Sequence, residues 1–374
     1  MSGGGALAGV EVLDFSTLLP GPLATLMLAE AGATVTKVER PGRGDEMRSY
    51  EPRLGTTSVN FALLNRGKRS IALDLKDPAA IESLRPALAR ADVIVEQFRP
   101  GVMDRLGLGY DAVSALNPRV VYCSITGYGQ QGARAQVAAH DLNYVAETGL
   151  LDTIAGADGE PVLPHVLAAD VGGGAYPAVT NILMALMERE RTGAGRHLDV
   201  AMADNVLPWM HWQFGDGFAA GRWPRRGAEL LTGGSPRYRL YRTADGRHVA
   251  AAPLEDRFWA TFCDLVELPA ELRDDRADPA ATIAAVAERI ASRSAAEWET
   301  AFRGVDVCCS IVRTVEEASN DVAFRDRGLF AAETGDGDGA TMPALHVALD
   351  PGLRADDVLP AAPKLGEHAP EAGR

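Results

Sequence analysis

A basic face is what this chain most plainly lacks. Its 374 residues carry 37 Lys and Arg against 51 Asp and Glu, a formal net charge of −14. That balance excludes a nucleic-acid partner held by a large electrostatic footprint, although a few local arginines suffice for a small anionic ligand. Cysteine is scarce as well. Cys123, Cys263, Cys308 and Cys309 show no metal-ligand spacing, and the adjacent pair Cys308-Cys309 is poorly placed for a structural bridge. Reduced thiols, a cytoplasmic location and no metal centre are expected. No apolar run approaches the length of a membrane span. Met1-Ser2-Gly3-Gly4-Gly5 has neither the basic nor the apolar region of a signal peptide, so none is expected. The first strand does not lead into a dinucleotide glycine fingerprint, which argues against a nicotinamide cofactor. Internal repeats are missing too.

What is present is an ordinary globular balance, 47% hydrophobic and 24% charged, in a chain long enough for two domains. Strand patterns occur over Val10–Phe15, Thr34–Glu39, Ser70–Leu75, Val93–Glu96 and Arg119–Ile125. Helix patterns over Leu23–Ala31 and Asp77–Arg90 separate them, with Pro22 before the first and Gly32 after it. Alternating strands and helices imply right-handed crossovers and a mainly parallel sheet. Asn181–Arg189 reads as another helix and His197–Val200 as a short strand. Gly221–Gly234 looks like a linker. Beyond it the pattern changes: Tyr238–Arg242, an Asp245-Gly246 turn and His248–Ala251 read as a β-hairpin, and Ala281–Arg293 and Ala295–Phe302 as helices. The expected fold class is therefore α/β. A Rossmann-like open parallel sheet forms a large domain over 1–224 and a smaller α+β domain covers 225–325. A return segment over 326–374, largely irregular from Gly335, packs back on the large domain.

Several residues carry chemistry. Arg40, Lys76 in Leu73-Asp74-Leu75-Lys76, Arg99 in Phe98-Arg99-Pro100-Gly101 and Arg105 stand near strand ends, where open parallel sheets bind ligands. Each alone reads as a solvated surface charge, but as a set they suit phosphate oxygens. His140 is either a capping or core histidine or a base. Asp170 precedes Val171 and the run Gly172-Gly173-Gly174. It is either a helix N-cap or an acid–base group beside backbone N–H groups, near Val171 and Gly172, that would hold an oxyanion. A histidine and a carboxylate on opposite sides of one carbon could each move a proton. Glu255 starts an apolar helix, and local sequence does not select it for function. Met202, Trp209, Met210 and Trp212 could form an apolar pocket but read more readily as core.

Longer motifs narrow this. Asn65–Lys76, Phe98-Arg99-Pro100-Gly101-Val102, Gly127-Tyr128-Gly129-Gln130 and Arg191–Arg196 resemble hallmarks of the class III CoA-transferase superfamily, over a span from about Gly9 to Phe330. Ala139-His140-Asp141-Leu142-Asn143-Tyr144 is similar to the α-methylacyl-CoA racemase branch. The resemblance implies His140, Asp170 and Glu255 as catalytic groups that epimerise an acyl-CoA thioester. It implies a CoA site lined by Arg40, Leu73, Asp74, Leu75, Lys76, Gln97, Phe98, Arg99, Arg105, Ala139, Asp141, Asn143 and Tyr144. It also implies an interlocked homodimer, with the active site between the large domain of one subunit and the small domain of the other. Beyond coenzyme A as part of the substrate, no cofactor is implied. Ser235, the surroundings of Glu255, and Val307–Val312 depart from the racemase pattern. A CoA-transferase using Asp170 as nucleophile stays open beside the racemase.

Overall fold

The computed structural model describes residues 4–156, 158–355 and 359–369. Its chain divides into two compact units, Met1–Thr148 with Pro164–Trp209 and Val322–Arg374, and Gly149–Leu163 with Met210–Asp321. Residues 210–224, read from sequence as part of the large domain, therefore group with the smaller unit.

In the larger unit, β1 (Glu11–Asp14), α1 (Pro20–Glu30), β2 (Thr34–Glu39), β3 (Arg69–Ala72), α2 (Pro78–Arg90), β4 (Val93–Glu96) and β5 (Val121–Thr126) follow the expected alternation. Then come α3 (Asp141–Glu147), α4 (Tyr176–Thr192) and β6 (Arg196–Ala201). The six strands form one parallel sheet in the spatial order β3-β2-β1-β4-β5-β6. This is the doubly wound order, whose direction reverses between β1 and β4. β4 and β5 are buried at every position, polar Glu96, Ser124 and Thr126 included, as expected of central strands in a parallel sheet covered on both faces. Local chemistry sets the helix starts. Pro20 opens α1, and Asp77 caps α2 by accepting the Ala79 N–H at 2.9 Å.

The turn after β1 has no glycine run, and buried charge takes its place. Asp14, Lys37, Asp45 and Lys68 are each no more than 4% exposed. Lys37 Nζ lies 3.0 Å from Asp45 and donates to the Ser16 carbonyl at 2.7 Å. Lys68 Nζ lies 3.2 Å from Asp14. Against a burial that would raise it, Lys37 and Lys68 hold the Asp14 carboxyl well below the usual range. Asp45 accepts the backbone N–H of Leu18 at 3.1 Å, and Leu18 sits at φ +62°. A left-handed leucine is costly, and here the surrounding charges fix it.

The smaller unit holds an antiparallel sheet of β7 (Arg239–Arg242), β8 (His248–Ala251) and β9 (Cys309–Ile311), with β8 central. The hairpin turns at Asp245-Gly246, where Gly246 has φ +79°. Helices α5 (Asp256–Leu265), α6 (Pro279–Ala291) and α7 (Ala295–Phe302) enclose a core that includes Trp259, Phe262, Ile290 and Trp298. The third strand had no sequence signal.

The tail is less irregular than expected. β10 (Ala332–Gly335) and β11 (Thr341–Ala344) form an antiparallel pair. The tail joins the larger unit: the Gly67 N–H donates to the Pro360 carbonyl at 2.8 Å, and the Ala355 N–H to that of Glu30 at 2.9 Å. All four cysteines are free thiols. Among the described residues, no helix is long and apolar enough to cross a membrane.

Candidate active site

A cleft of about 390 Å³ opens in the larger unit at the carboxyl ends of β1, β4 and β5. Its position follows from the strand order, because loops diverge where the winding direction reverses. Gln97, Phe98, Arg99 and Pro100 form one wall. The Gln97 side chain accepts the Gly21 N–H at 3.0 Å, which ties that wall to the start of α1. Opposite, Ala139, His140, Asn143 and Tyr144 contribute from the start of α3. The Gln136 amide donates to the Pro100 carbonyl at 3.0 Å and joins the two sides.

His140 is exposed and occupies the N-cap position of α3, with extended φ −130° and ψ 176°. Its backbone N–H donates to the Asn143 side chain at 3.0 Å. It is therefore not a core histidine. Asp170 lines the same cleft and is partly buried. Burial, and then the Asp141 charge, push its carboxyl up to about 6. The Tyr144 phenol is pushed up to about 12 by burial and by Asp170, and it donates to the Ala139 carbonyl at 3.0 Å.

Asp170 is not the helix N-cap that sequence allowed. It is the second residue of a π-helical segment, Ala169–Ala175, that runs directly into α4. α4 itself starts at Tyr176, earlier than the expected Asn181. Asp141 does the capping from another element. Its Oδ1 accepts the N–H groups of Ala169 at 2.7 Å and of Asp170 at 2.9 Å. Asp141 is only 6% exposed and does not line the cleft, and its hydrogen bonds help to place Asp170. The Val171 N–H donates to the Leu167 carbonyl at 3.0 Å, so the oxyanion donor expected there is engaged. The glycine run serves packing. A Cβ on Gly172 would lie 2.0 Å from the Trp209 ring, and one on Gly173 2.5 Å from the Met202 carbonyl oxygen.

The remaining sequence candidates separate by place. Arg40, Leu73, Asp74, Leu75 and Lys76 lie beyond β2 and β3 on the same sheet edge but do not line the cleft, and neither does Arg105. Arg40 is paired with Glu46 at 2.7 Å. Lys76 donates its backbone N–H to Asp74 at 3.0 Å. Glu255 belongs to the smaller unit, at the N-cap of α5. Met202 is buried and reaches the cleft, whereas Trp209 and Trp212 are exposed. Leu18 and Thr126 line the cleft without having been singled out, and Tyr128 lines it from the Gly127-Tyr128-Gly129-Gln130 motif. The place of Leu18 in the loop after β1 and of Thr126 at the end of β5 was the available signal.

A model of CoA-transferase family III matches residues 7–369. The chain belongs to CoA-transferase family III. It is 36% identical to α-methylacyl-CoA racemase of Mus musculus, covering 98% of this chain and 92% of that protein. It is 32% identical to acetyl-CoA:oxalate CoA-transferase of Acetobacter aceti, over 97% and 94% of the two chains. The crystal structure of a CaiB/BaiF family protein from Brucella suis superimposes with a TM-score of 0.83, at 29% identity and 97% coverage of both chains. These findings place the chain in a superfamily that contains both racemases and CoA-transferases.

Proposed function

We propose that this family member epimerises the α-carbon of a 2-methylacyl-CoA thioester by two-base proton transfer through an enolate. One observation carries the reading: His140 and Asp170 line one cleft, next to the exposed Arg99. A thioester acidifies its α-proton by moving charge onto oxygen. His140 would take or return that proton on one face and Asp170 on the other. A carboxyl at about 6 exchanges protons near neutrality far better than an ordinary one. Glu255 as the support of His140 rests on the resemblance, as do Arg40, Leu73–Lys76 and Arg105 as further CoA contacts. No cofactor beyond the CoA of the substrate is proposed. We further propose a cytoplasmic, interlocked homodimer.

A second reading is CoA transfer from an acyl-CoA to a carboxylic acid. The 32% identity to a named CoA-transferase favours it. Asp170 would attack the thioester carbonyl, expel the CoA thiolate and form an acyl anhydride, with no need of His140.

Deuterium separates the two. In deuterated water, a 2-methylacyl-CoA should gain α-deuterium, and no new thioester should form from an acyl-CoA plus a free acid. His140→Ala should cut racemisation by roughly 10²–10⁴-fold yet leave α-exchange of one enantiomer, and Asp170→Asn should leave exchange of the other. Near wild-type racemisation by His140→Ala would exclude the two-base mechanism and put the transferase reading in its place.

A further inference from the structure

Behind the wall that carries Arg99 lies a second cavity, of about 500 Å³. It shares Arg99 and Pro100 with the cleft and has no part in the chemistry above. Glu96, Ser124 and His197 line it from the neighbouring strands β4, β5 and β6. Glu96 ends β4 and is 4% exposed. It accepts the Phe98 N–H at 2.8 Å and is hydrogen-bonded to Ser124. Ser124 Oγ lies 2.9 Å from His197 Nε2. The His197 ring stacks on Tyr110 at 5.2 Å and meets Tyr122 edge-on at 5.4 Å. A continuous hydrogen-bonded chain thus links the edge strand to the backbone of the segment that walls the cleft.

We propose that Glu96 is a positioning residue for the Gln97–Arg99 wall and takes up a proton when an anionic ligand binds at Arg99. This rests on the reading of the cleft as a CoA-thioester site. The groups around Glu96 explain the coupling. β5 brings Tyr122, Cys123 and Ser124, and β6 brings His197 and Asp199. The segment after β4 brings Arg99 and Asp104, and the helix Tyr110–Leu116 brings Asp111. Burial, reinforced by Asp104 and Asp199, pushes the Glu96 carboxyl up to about 7. Burial pushes His197 down. With Glu96 protonated, every bond of the chain runs one way, from the carboxyl O–H to Ser124 Oγ and from the Ser124 O–H to neutral His197 Nε2. Ionised Glu96 reverses it, and His197 must then present an N–H to Ser124. A phosphate drawn to Arg99 adds negative charge beside Glu96 and favours its protonated form. By linkage, protonation then favours the phosphate.

Glu96→Gln mimics the protonated state and keeps a donor and an acceptor. Calorimetry of CoA binding near pH 7, in two buffers of different ionisation heat, counts the protons taken up. The variant should bind CoA within about threefold of wild type at pH 6. It should take up fewer protons at pH 7, and its affinity should fall less between pH 6 and 8. The same difference should persist on an Asp170→Asn background, which removes the other carboxyl that titrates in this range. A purely structural role would lower affinity equally at every pH and leave proton uptake unchanged, and that result would overturn the proposal. If Glu96→Gln does not fold, Ser124→Ala serves instead. It removes a bond that favours ionised Glu96, so the midpoint of the affinity profile should move to higher pH, and an unmoved midpoint counts against the proposal. Failure of the wild type to bind CoA would overturn the reading of the cleft along with it. CoA binding with unchanged proton uptake overturns this proposal alone.

Discussion

Asp141 places one carboxylate oxygen on two backbone amides and a negative charge beside Asp170. The two effects separate in Asp141→Asn, which keeps an oxygen for the amides and removes the charge. The acid limb of the pH–rate profile, set near 6 by Asp170, should then move to lower pH. It should stay above the ordinary carboxylate range, because burial is the larger cause and remains. An unmoved limb would mean that another group sets it. Stability has a definite sign here. The folded carboxyl titrates above its unfolded value, so its contribution is fully present below the ordinary carboxylate range and is lost as pH rises through about 6. Asp170→Asn should therefore raise the thermal midpoint at pH 8 relative to wild type and leave it nearly unchanged at pH 4. Arg99 is exposed, so its value lies in ligand contact rather than in the fold. Arg99→Ala should weaken CoA binding by roughly 1.5–3 kcal/mol, as expected for charge-assisted phosphate contacts, with the thermal midpoint unchanged. Calorimetry reads both.

For the segment Ala169–Ala175, the sequence allowed a helix opening after Asp170 but gave no sign that it begins before that residue. Three successive glycines argue against a helix on propensity alone. They are nonetheless helical here, and Met202, Trp209 and Pro20 crowd the same space and leave no room for side chains. Gly173→Ala would set a Cβ 2.5 Å from the Met202 carbonyl oxygen, a backbone atom that cannot swing aside. We expect a loss of roughly 1–3 kcal/mol, with a displaced Asp170 and reduced activity. Gly174→Ala should cost less, since its nearest neighbours are side-chain atoms of Pro20 and Met202 at 3.0–3.2 Å. Thermal unfolding of the two variants gives the order, and equal losses would exclude this packing account. The turn after β1 is the complementary case. Where a dinucleotide-binding sheet has glycines, this chain holds Leu18 at positive φ through Asp45 and a buried lysine–aspartate network.

For the molecule as a whole, α4 exposes Leu183, Met184 and Met187, with Met187 76% exposed. Apolar side chains clustered on one helix are what a partner subunit would cover. The proposed interlocked dimer makes a strict demand, because a chain threaded through its partner cannot leave without unfolding. Sedimentation should show a single dimeric species down to micromolar concentration, and a folded monomer peak there would contradict the threading.

The sequence by itself determined the alternation of strands and helices, the hairpin at Asp245-Gly246 and the family motifs. These are properties of period, turn chemistry and short stretches of chain, and they survive without knowledge of distant neighbours. It also singled out His140, Asp170 and Arg99. Tertiary structure alone decided which candidates meet. It brought His140 and Asp170 to one cleft and left Arg40 and Lys76 further along the sheet edge. It turned Asp141 inward to cap the segment that carries Asp170, and it linked Glu96 to His197 across three strands. No local pattern encodes these pairings, because each depends on sheet order and on burial, which raises or lowers a charge only once the chain has closed around it.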